Sequence, residues 1–309
     1  MRKYNKIKTS KKIIIWIISI IVISIILLFG GGYFYIHNTI SKVEEIEVNI
    51  DNIAIDINPK EEIKEIRNIA LLGIDSTDED LVGRSDSIMI LTLDNVHNKI
   101  KLTSIMRDSY VNIYGYGMDK INHAYAYGGA ELTLKTLNEN FGLNISEVMI
   151  VNFNSLIEII DKLGGVNINI TDEEVSHIPG VSFSGEQLLN GAQALTYSRI
   201  RYASGGDYKR TERQRTVISA IFNKLKNTPM AQYPELVNKF LPYIKTNIST
   251  SKLLGLATEF SGLAMEDIKH DRFPRDGQGE GKTINGVYYL TFDIESVKNS
   301  IKEYIFNDK

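Results

Sequence analysis

The sequence predicts an α/β domain built as a three-layer α/β/α sandwich with a central mixed sheet, preceded by one amino-terminal transmembrane helix. Three observations lead to this reading. From residue 67 onward, apolar runs of strand length alternate with longer helical stretches, which places helices on both sides of a sheet. Several of those runs end on charged residues, where α/β folds present their ligand-binding groups. Residues 13–36 form an unbroken uncharged stretch of twenty-four.

In chain order, residues 1–12 carry Arg2, Lys3, Lys6, Lys8, Lys11 and Lys12 and no acid. The apolar run 13–36 follows, and a helix of roughly 20 residues spans the hydrocarbon core of a bilayer. Trp16 suits the inner interface, and Tyr33 and Tyr35 the outer one. The basic flank before the run, against Glu44, Glu45 and Glu47 after it, predicts a cytoplasmic amino terminus with the remainder outside. A cleaved signal peptide fits less well, because the run is long and no A-x-A-like site follows. Residues 37–66 alternate polar and apolar up to Pro59 and read as a membrane-proximal stalk or edge strand.

One domain is expected over residues 67–309. N-I-A-L-L-G-I, S-I-M-I-L-T-L-D and K-I-K-L-T-S-I-M read as three strands, with Val96-His97-Asn98 as the turn between the last two. Residues 130–140 read as a helix opening after Gly128-Gly129, V-M-I-V-N-F as a strand, and 154–163 as a helix stopped by Gly164-Gly165. V-N-I-N-I is a further strand. Helices follow over 207–226, 233–245 and 251–263, then a strand pair near 268–273 and 286–291, and a terminal helix over 294–306.

With no cysteine, thiol catalysis, thiolate metal sites and disulfides are excluded. The net charge of -3 includes the six positive charges of residues 1–12, so the rest of the chain stands at -9. An acidic body argues against nucleic acid as a partner, since neutralising phosphates along a strand needs a broad basic face. The five histidines are scattered without zinc-ligand spacing, and His123 reads as a structural hydrogen-bonder.

Against that background, residues 196–215 stand out: five of the eleven arginines are here, Arg199, Arg201, Arg210, Arg213 and Arg215. A guanidinium holds two phosphate or carboxylate oxygens at once, which an ammonium cannot do. On an extended segment Arg199 and Arg201 would leave the same face. Asp207, after Gly205-Gly206, is placed to cap a helix on which Arg210 and Gln214 share a side. Guanidiniums converging without matching acids repel unless an anion sits between them, so the stretch reads as an oxyanion site, with phosphate the best fit. Arg213 and Arg215 fall off the Arg210–Gln214 side and are left out of it.

Three more constellations carry candidate groups, the first two where apolar strands end. G-I-D-S and G-R-S-D-S supply Asp75, Arg84 and Asp86; two carboxylates joined by a loop can hold magnesium, which commonly shares its coordination with substrate phosphates. The bland reading is a turn residue plus a surface ion pair worth about 0–1 kcal/mol. M-R-D-S supplies Arg107 for the anion, and Asp108 to orient it or to act as a base. K-I-N-H-A-Y supplies Lys120, within reach of a phosphate. The apolar helices after residue 216 are core in the simplest reading and also suit the walls of a groove for a lipid tail.

Taken in order, L-L-G-I-D-S, G-R-S-D-S-I-M-I-L-T-L-D, S-I-M-R-D-S, K-I-N-H-A-Y-A-Y-G-G, L-N-G-A-Q-A-L-T-Y-S-R-I-R and G-D-Y-K-R-T-E-R-Q-R resemble the LytR–CpsA–Psr family, motif by motif from residue 67 to about 225. The resemblance implies an α/β/α sandwich with a hydrophobic polyprenyl pocket. It implies a phosphotransferase that moves a glycopolymer from a polyprenyl-pyrophosphate carrier to a peptidoglycan muramic-acid hydroxyl. Carried over, Asp75 and Asp86 would hold magnesium, or manganese in its place. Arg84, Arg107, Arg199, Arg201 and Arg210 would grip the pyrophosphate, with Lys120 and Gln214 completing the head-group site. The implied partners are the lipid-linked glycopolymer, peptidoglycan and membrane lipid, and the implied place is the cell membrane with the catalytic domain outside. Asp75 and Asp108 are candidates for the base. Two rival expectations are a polyprenyl-pyrophosphate hydrolase and a membrane-bound transcriptional regulator.

Overall fold

The computed structural model describes residues 45–55, 65–76, 81–201, 206–229, 232–263 and 267–309. The expected basic tail and membrane span, and most of the expected stalk, lie outside them. Among the described residues no helix is long and apolar enough to cross a membrane.

The architecture is mixed α/β around a central mixed sheet. β1 (Ile66–Ile74), β2 (Ser85–Asp94) and β3 (Lys99–Ile105) form an antiparallel meander, and β1 pairs in parallel with β6 (Glu147–Asn152) on its other side. β10 (Lys269–Phe273) joins β3 in parallel at one edge, and β9 (Lys245–Thr246) closes the other. Three two-stranded ribbons surround the sheet: β4 (Tyr110–Ile113) with β5 (Gly117–Lys120), β7 (Val166–Ile170) with β8 (Gly185–Leu189), and β11 (Gly279–Ile284) with β12 (Val287–Phe292). The helices are α1 (His123–Phe141), α2 (Phe153–Lys162), α3 (Asp172–Val175), α4 (Gly191–Arg199), α5 (Gly206–Lys226), α6 (Tyr233–Phe240), α7 (Thr250–Leu263) and α8 (Ile294–Asn307).

Strand alternation divides the apolar residues between two faces. Ala70, Leu72, Ile74, Ile88 and Ile90 pack with Leu134, Leu137 and Phe141 of α1 and Val297, Ile301 and Ile305 of α8 in one core cluster. Leu71, Met89, Leu91 and Met149, on the intervening positions, instead line a cavity walled by the later helices. Polar groups inside the sheet are paired: Thr92 Oγ1 donates to Asn68 Oδ1 at 2.7 Å, and Asn68 Nδ2 to the Leu143 carbonyl at 3.0 Å. Lys101 is fully buried and donates to Asp94 at 2.7 Å and to the Tyr304 and Ile305 carbonyls at 2.9 and 3.0 Å, which ties the end of α8 to the sheet.

Several expectations change. Residues 45–55, expected as a stalk or edge strand, lie on the domain beside the edge strand β9: Glu45 bridges Thr246 in parallel, Ile46 N donates to Thr246 O at 3.1 Å, Ile53 is fully buried, and Asn138 Nδ2 donates to its carbonyl at 2.8 Å. A helical stretch also precedes the expected one, from His123, but Gly128 (φ -152°) and Gly129 (φ 61°) leave helical geometry, so the helix expected over 130–140 does open after the glycine pair. The stretch 233–245 is helical only to Phe240, then turns through Leu241–Tyr243 into β9. β10 and β12 belong to different sheets and are not a strand pair. Arg199 ends a helix, so it is not on an extended segment with Arg201.

α4 meets α2 with almost no spacing. A Cβ at Gly191 would lie 2.3 Å from the Ile157 carbonyl oxygen, a backbone atom that cannot swing aside. The Asn190 side chain accepts from Gln193 N at 2.9 Å and caps α4 there, so the L-N-G-A-Q motif sets both the start of the helix and its closeness to α2. Gly191→Ala is expected to destabilise the domain by about 1–3 kcal/mol through overpacking, read as a lowered midpoint in urea unfolding.

Candidate active site at the strand ends

A bulge forms where β1 meets β2: Gly73 pairs with Ser87 but Ile74 with Ser85, so Asp86 is the extra residue on its strand. Bulges of this kind re-aim a side chain. The loop back to β1 is tight, with Asp75 N donating to the Arg84 carbonyl at 3.0 Å. An added Cβ on Gly83 would stand 2.8 Å from the Asp75 carbonyl oxygen, so only glycine fits. Asp75 and Asp86 therefore flank the same short junction, joined through Arg84.

The adjacent strand β3 delivers Arg107 to this junction. Its Nη1 donates to Asp86 Oδ2, its Nε lies 3.6 Å from Asp108 Oδ2, and its Nη2 lies 3.7 Å from Asp207 Oδ1. Asp108 accepts from Lys120 Nζ at 2.8 Å, and Asp207 pairs with Arg210 Nη2 at 2.9 Å. Asn122 is 3% exposed; its Nδ2 donates to Asp86 Oδ1 at 3.1 Å and its N to the Arg107 carbonyl at 3.3 Å, so it fixes the strand ends to one another. The cations thus do have matching acids, contrary to the expectation of an unbalanced cluster. Asp207 supplies one of them from the first turn of α5, facing Arg210 and Arg107.

Of the sequence-derived site residues, Asp86, Arg107, Asp108, Lys120 and Arg210 form one connected ionic chain. Arg199 and Gln214 stand beside it and line the cavity, with the Arg199 guanidinium 4.4 Å from the Phe153 ring centroid. Asp75, Arg84 and Arg201 are exposed and have no hydrogen-bonded or charge-paired side-chain partner among the described residues. Asp207 and Asn122 are additional site members. The sequence carried a signal for each, an acid one turn before Arg210 and an asparagine two residues after Lys120, but their roles depend on the tertiary arrangement.

Arg210 is pushed down to about 10, first by burial; Asp207 opposes this, while Arg107 and Arg201 add to it. An anion among these guanidiniums would relieve the repulsion. Arg107 Nε, Arg210 Nε and Gln214 Oε1 are buried without hydrogen-bond partners among the described residues, and each such group costs about 1–3 kcal/mol unless a ligand engages it. By contrast Arg213 is committed to structure: its Nε donates to Glu174 Oε1 at 2.6 Å and its Nη1 to the Ile200 carbonyl at 3.1 Å. Arg215 Nη1 donates to Ser104 Oγ at 2.9 Å, while its Nε, like those of Arg107 and Arg210, is buried without a hydrogen-bond partner among the described residues. Both stay outside the site, as their helical positions predict.

The cavity beside the chain measures about 330 Å³. Its polar lining includes Asp86, Ser87 and Asn152 from the strands and Ser198, Arg199 and Gln214 from the helices; most of the rest is apolar, including Leu91, Val217, Phe222 and Phe260.

Among the described residues no group of three or more acids or histidines could form an all-protein metal cage. Asp86 and the exposed Asp75 are hard oxygen donors of the kind a magnesium ion shares with substrate phosphates. Asp86 Oδ1 and Oδ2 each accept one hydrogen bond, and a carboxylate oxygen has a second lone pair.

The model of the LytR_cpsA_psr family matches residues 32–305. The chain belongs to this family. A LytR–CpsA–Psr relative from Bacillus licheniformis, called polyisoprenyl-teichoic acid–peptidoglycan teichoic acid transferase TagU, is 32% identical over 308 residues and covers 97% of each chain. A solved family structure described as TagT bound to LI-WTA is 28% identical with a TM-score of 0.69, covering 84% of this chain and 99% of that one. Another, YwtF (TagT) with bound octaprenyl pyrophosphate lipid, is 27% identical with a TM-score of 0.66 and the same coverage.

The partition of arginines is testable. Arg213→Ala should cost about 3–5 kcal/mol of stability by leaving Glu174 buried and unpaired, while the folded fraction still binds inorganic pyrophosphate. Arg107→Ala should lose pyrophosphate binding by calorimetry with a smaller drop in Tm.

Proposed function

We propose that this protein transfers a glycopolymer from a polyprenyl-pyrophosphate carrier to the muramic-acid hydroxyl of peptidoglycan. One observation carries the reading: an apolar cavity opens directly onto a chain of arginines at the strand ends, so one molecule with a long apolar tail and a diphosphate head suits both halves. The relatives' names and the lipid in the similar structure point to the same chemistry.

The polyprenyl chain would lie among the cavity's apolar side chains, with the diphosphate held by Arg107, Arg210, Arg199 and Gln214 and by the exposed Arg84 and Arg201. The acceptor oxygen bonds to the sugar-side phosphorus as the bond to the bridging oxygen breaks, and polyprenyl phosphate leaves with that oxygen. Charge on the phosphoryl oxygens and the leaving phosphate meets fixed guanidiniums in a partly water-excluded site, which is where such stabilisation is strongest. Of the two candidate bases, Asp108 is engaged by Lys120 and Arg107 and holds them in place. That leaves Asp75 to take the hydroxyl proton. Magnesium, or manganese in its place, would be held by Asp75 and Asp86 and would supply further neutralisation of the diphosphate. The sequence of residues 1–36 supports a single membrane anchor with this site on the outer face, where lipid carriers present finished polymers.

The test is transfer of labelled glycopolymer from a lipid carrier to purified peptidoglycan by the full-length chain. Wild type should label the peptidoglycan, and Arg199→Ala should fall below about one-hundredth of that rate, as for loss of one oxyanion-stabilising group. Release of free sugar phosphate with no labelled peptidoglycan would instead make the protein a hydrolase. Treatment with a chelator should abolish transfer, with magnesium or manganese restoring it; unchanged activity after chelation would remove the metal from the proposal.

A further inference from the structure

The ionic chain extends past Arg107 to a group of tyrosines. Lys120, bound to Asp108, lies 6.0 and 5.7 Å from the ring centroids of Tyr288 and Tyr289. The backbone fixes these rings beside the site, because Leu290 N donates to the Asp108 carbonyl at 2.8 Å. On the next element, Asp119 accepts from Tyr127 Oη at 2.7 Å, and Tyr127 stacks on Tyr116 with centroids 4.3 Å apart. Tyr208 follows Asp207 in the first turn of α5. Tyr116 and Tyr288 are 56% and 51% exposed, far more than aromatic rings with only a packing role. None of these tyrosines, nor Lys120, lines the apolar cavity.

Exposed aromatic clusters rimmed by polar groups mark binding surfaces. Here flat ring faces alternate with hydrogen-bonding edges: the Tyr hydroxyls, Asp119, and His123 at 2.8 Å from that carboxylate. A sugar ring has the same two characters, apolar C–H faces and a belt of hydroxyls. The direction of transfer then selects which saccharide. In phosphoryl transfer the attacking and leaving oxygens are roughly in line. The leaving oxygen carries the lipid phosphate toward the cavity, so the attacking hydroxyl enters from the other side of the diphosphate, where Lys120 and the tyrosines stand.

We propose that the tyrosine rim around Lys120 is the docking surface for the acceptor glycan strand of peptidoglycan. The proposal rests on the transferase reading and deepens it by locating its second substrate. The polymer character of the acceptor fits a rim that runs over several rings in succession, from Tyr288 through Tyr289 to Tyr127 and Tyr116.

The test uses full-length protein as wild type, Tyr116→Ala, Tyr288→Ala and Tyr288→Phe, each checked for an unchanged Tm. Each is titrated with soluble uncrosslinked glycan strands, with polyprenyl pyrophosphate lacking any sugar, and with a sugar-bearing lipid carrier. Both alanine variants should bind glycan strands about tenfold more weakly, a change of about 1.4 kcal/mol. Tyr288→Phe should keep most of the affinity, and polyprenyl pyrophosphate should bind all four proteins equally. Glycan binding that is absent in wild type, or unchanged in both alanine variants, overturns the proposal. So does a loss seen only with the sugar-bearing carrier, which would make the rim a donor subsite. Failure of wild type to bind polyprenyl pyrophosphate would strike the transferase reading instead, and the glycan arm would still report on the rim.

Discussion

The contact on which the rest of the site depends is the pairing of Arg107 with Asp86. Arg107 arrives at the end of β3 and Asp86 is the bulged residue of β2, so a single ion pair joins two strand ends at the boundary between apolar core and charged surface. A guanidinium placed there needs a partner, because an unpaired half-buried charge is costly. Once Arg107 holds Asp86, Asn122 takes the other oxygen of that carboxylate, Asp108 holds Lys120, and Asp207 lies between Arg107 and Arg210. Burial is the first cause of the lowered Arg210 pKa, and Arg107 and Arg201 lower it further against the opposing Asp207. An anion held between these guanidiniums would ease that repulsion.

The sheet explains why the anion should carry a tail. One face is filled by α1 and α8, whose apolar side chains interlock with β1 and β2. The other face presents Leu71, Leu91 and Met149 to a cavity, with α5, α6 and α7 standing off as its far wall. A helix of ordinary width could have packed directly on those residues. Holding it away forgoes dispersion contacts on both surfaces, a loss that grows with cavity volume. The loss is confined to the face that ends at the arginines.

The sequence showed the charges and the strands more clearly than the partnerships. Asp75 and Arg107 were legible because each follows an apolar run, and Asp86 because it stands just before the next one; the end of a strand in an α/β sheet is where ligand groups belong. The alternation of β1 and the Gly164-Gly165 stop after α2 were legible for the same local reason. What failed was non-local. The helical turns from His123 ahead of Gly128-Gly129 carried no such local signal, although the glycine pair does break the helix where the sequence placed its start. β10 and β12 looked like a hairpin from their closeness in sequence, whereas β10 finds its partner in β3, far earlier in the chain. Residues 45–55 alternate polar and apolar and so read equally as stalk or edge strand; the contacts of Ile46 with Thr246 and of Asn138 with the Ile53 carbonyl show that they lie on the domain. Asp207 had a sufficient local explanation as a helix cap, which hid its place between two arginines.

Two unfavourable features therefore meet at one place. The cavity forgoes packing, and the buried Nε atoms of Arg107 and Arg210 forgo hydrogen bonds. Neither is expected to persist in a marginally stable domain without a return. A hydrocarbon tail would restore dispersion contacts in the cavity but do nothing for the guanidiniums. A free phosphate would engage the guanidiniums but leave the cavity as it is. A single amphipathic diphosphate relieves both, and because its two halves are covalently joined, each half holds the other at high effective concentration. Arg199 marks the seam: its guanidinium lies on the Phe153 ring while its side chain lines the cavity. A lysine there would keep the charge but lose the flat contact with the ring, which is the physical reason the chain changes from lysine to arginine at this point.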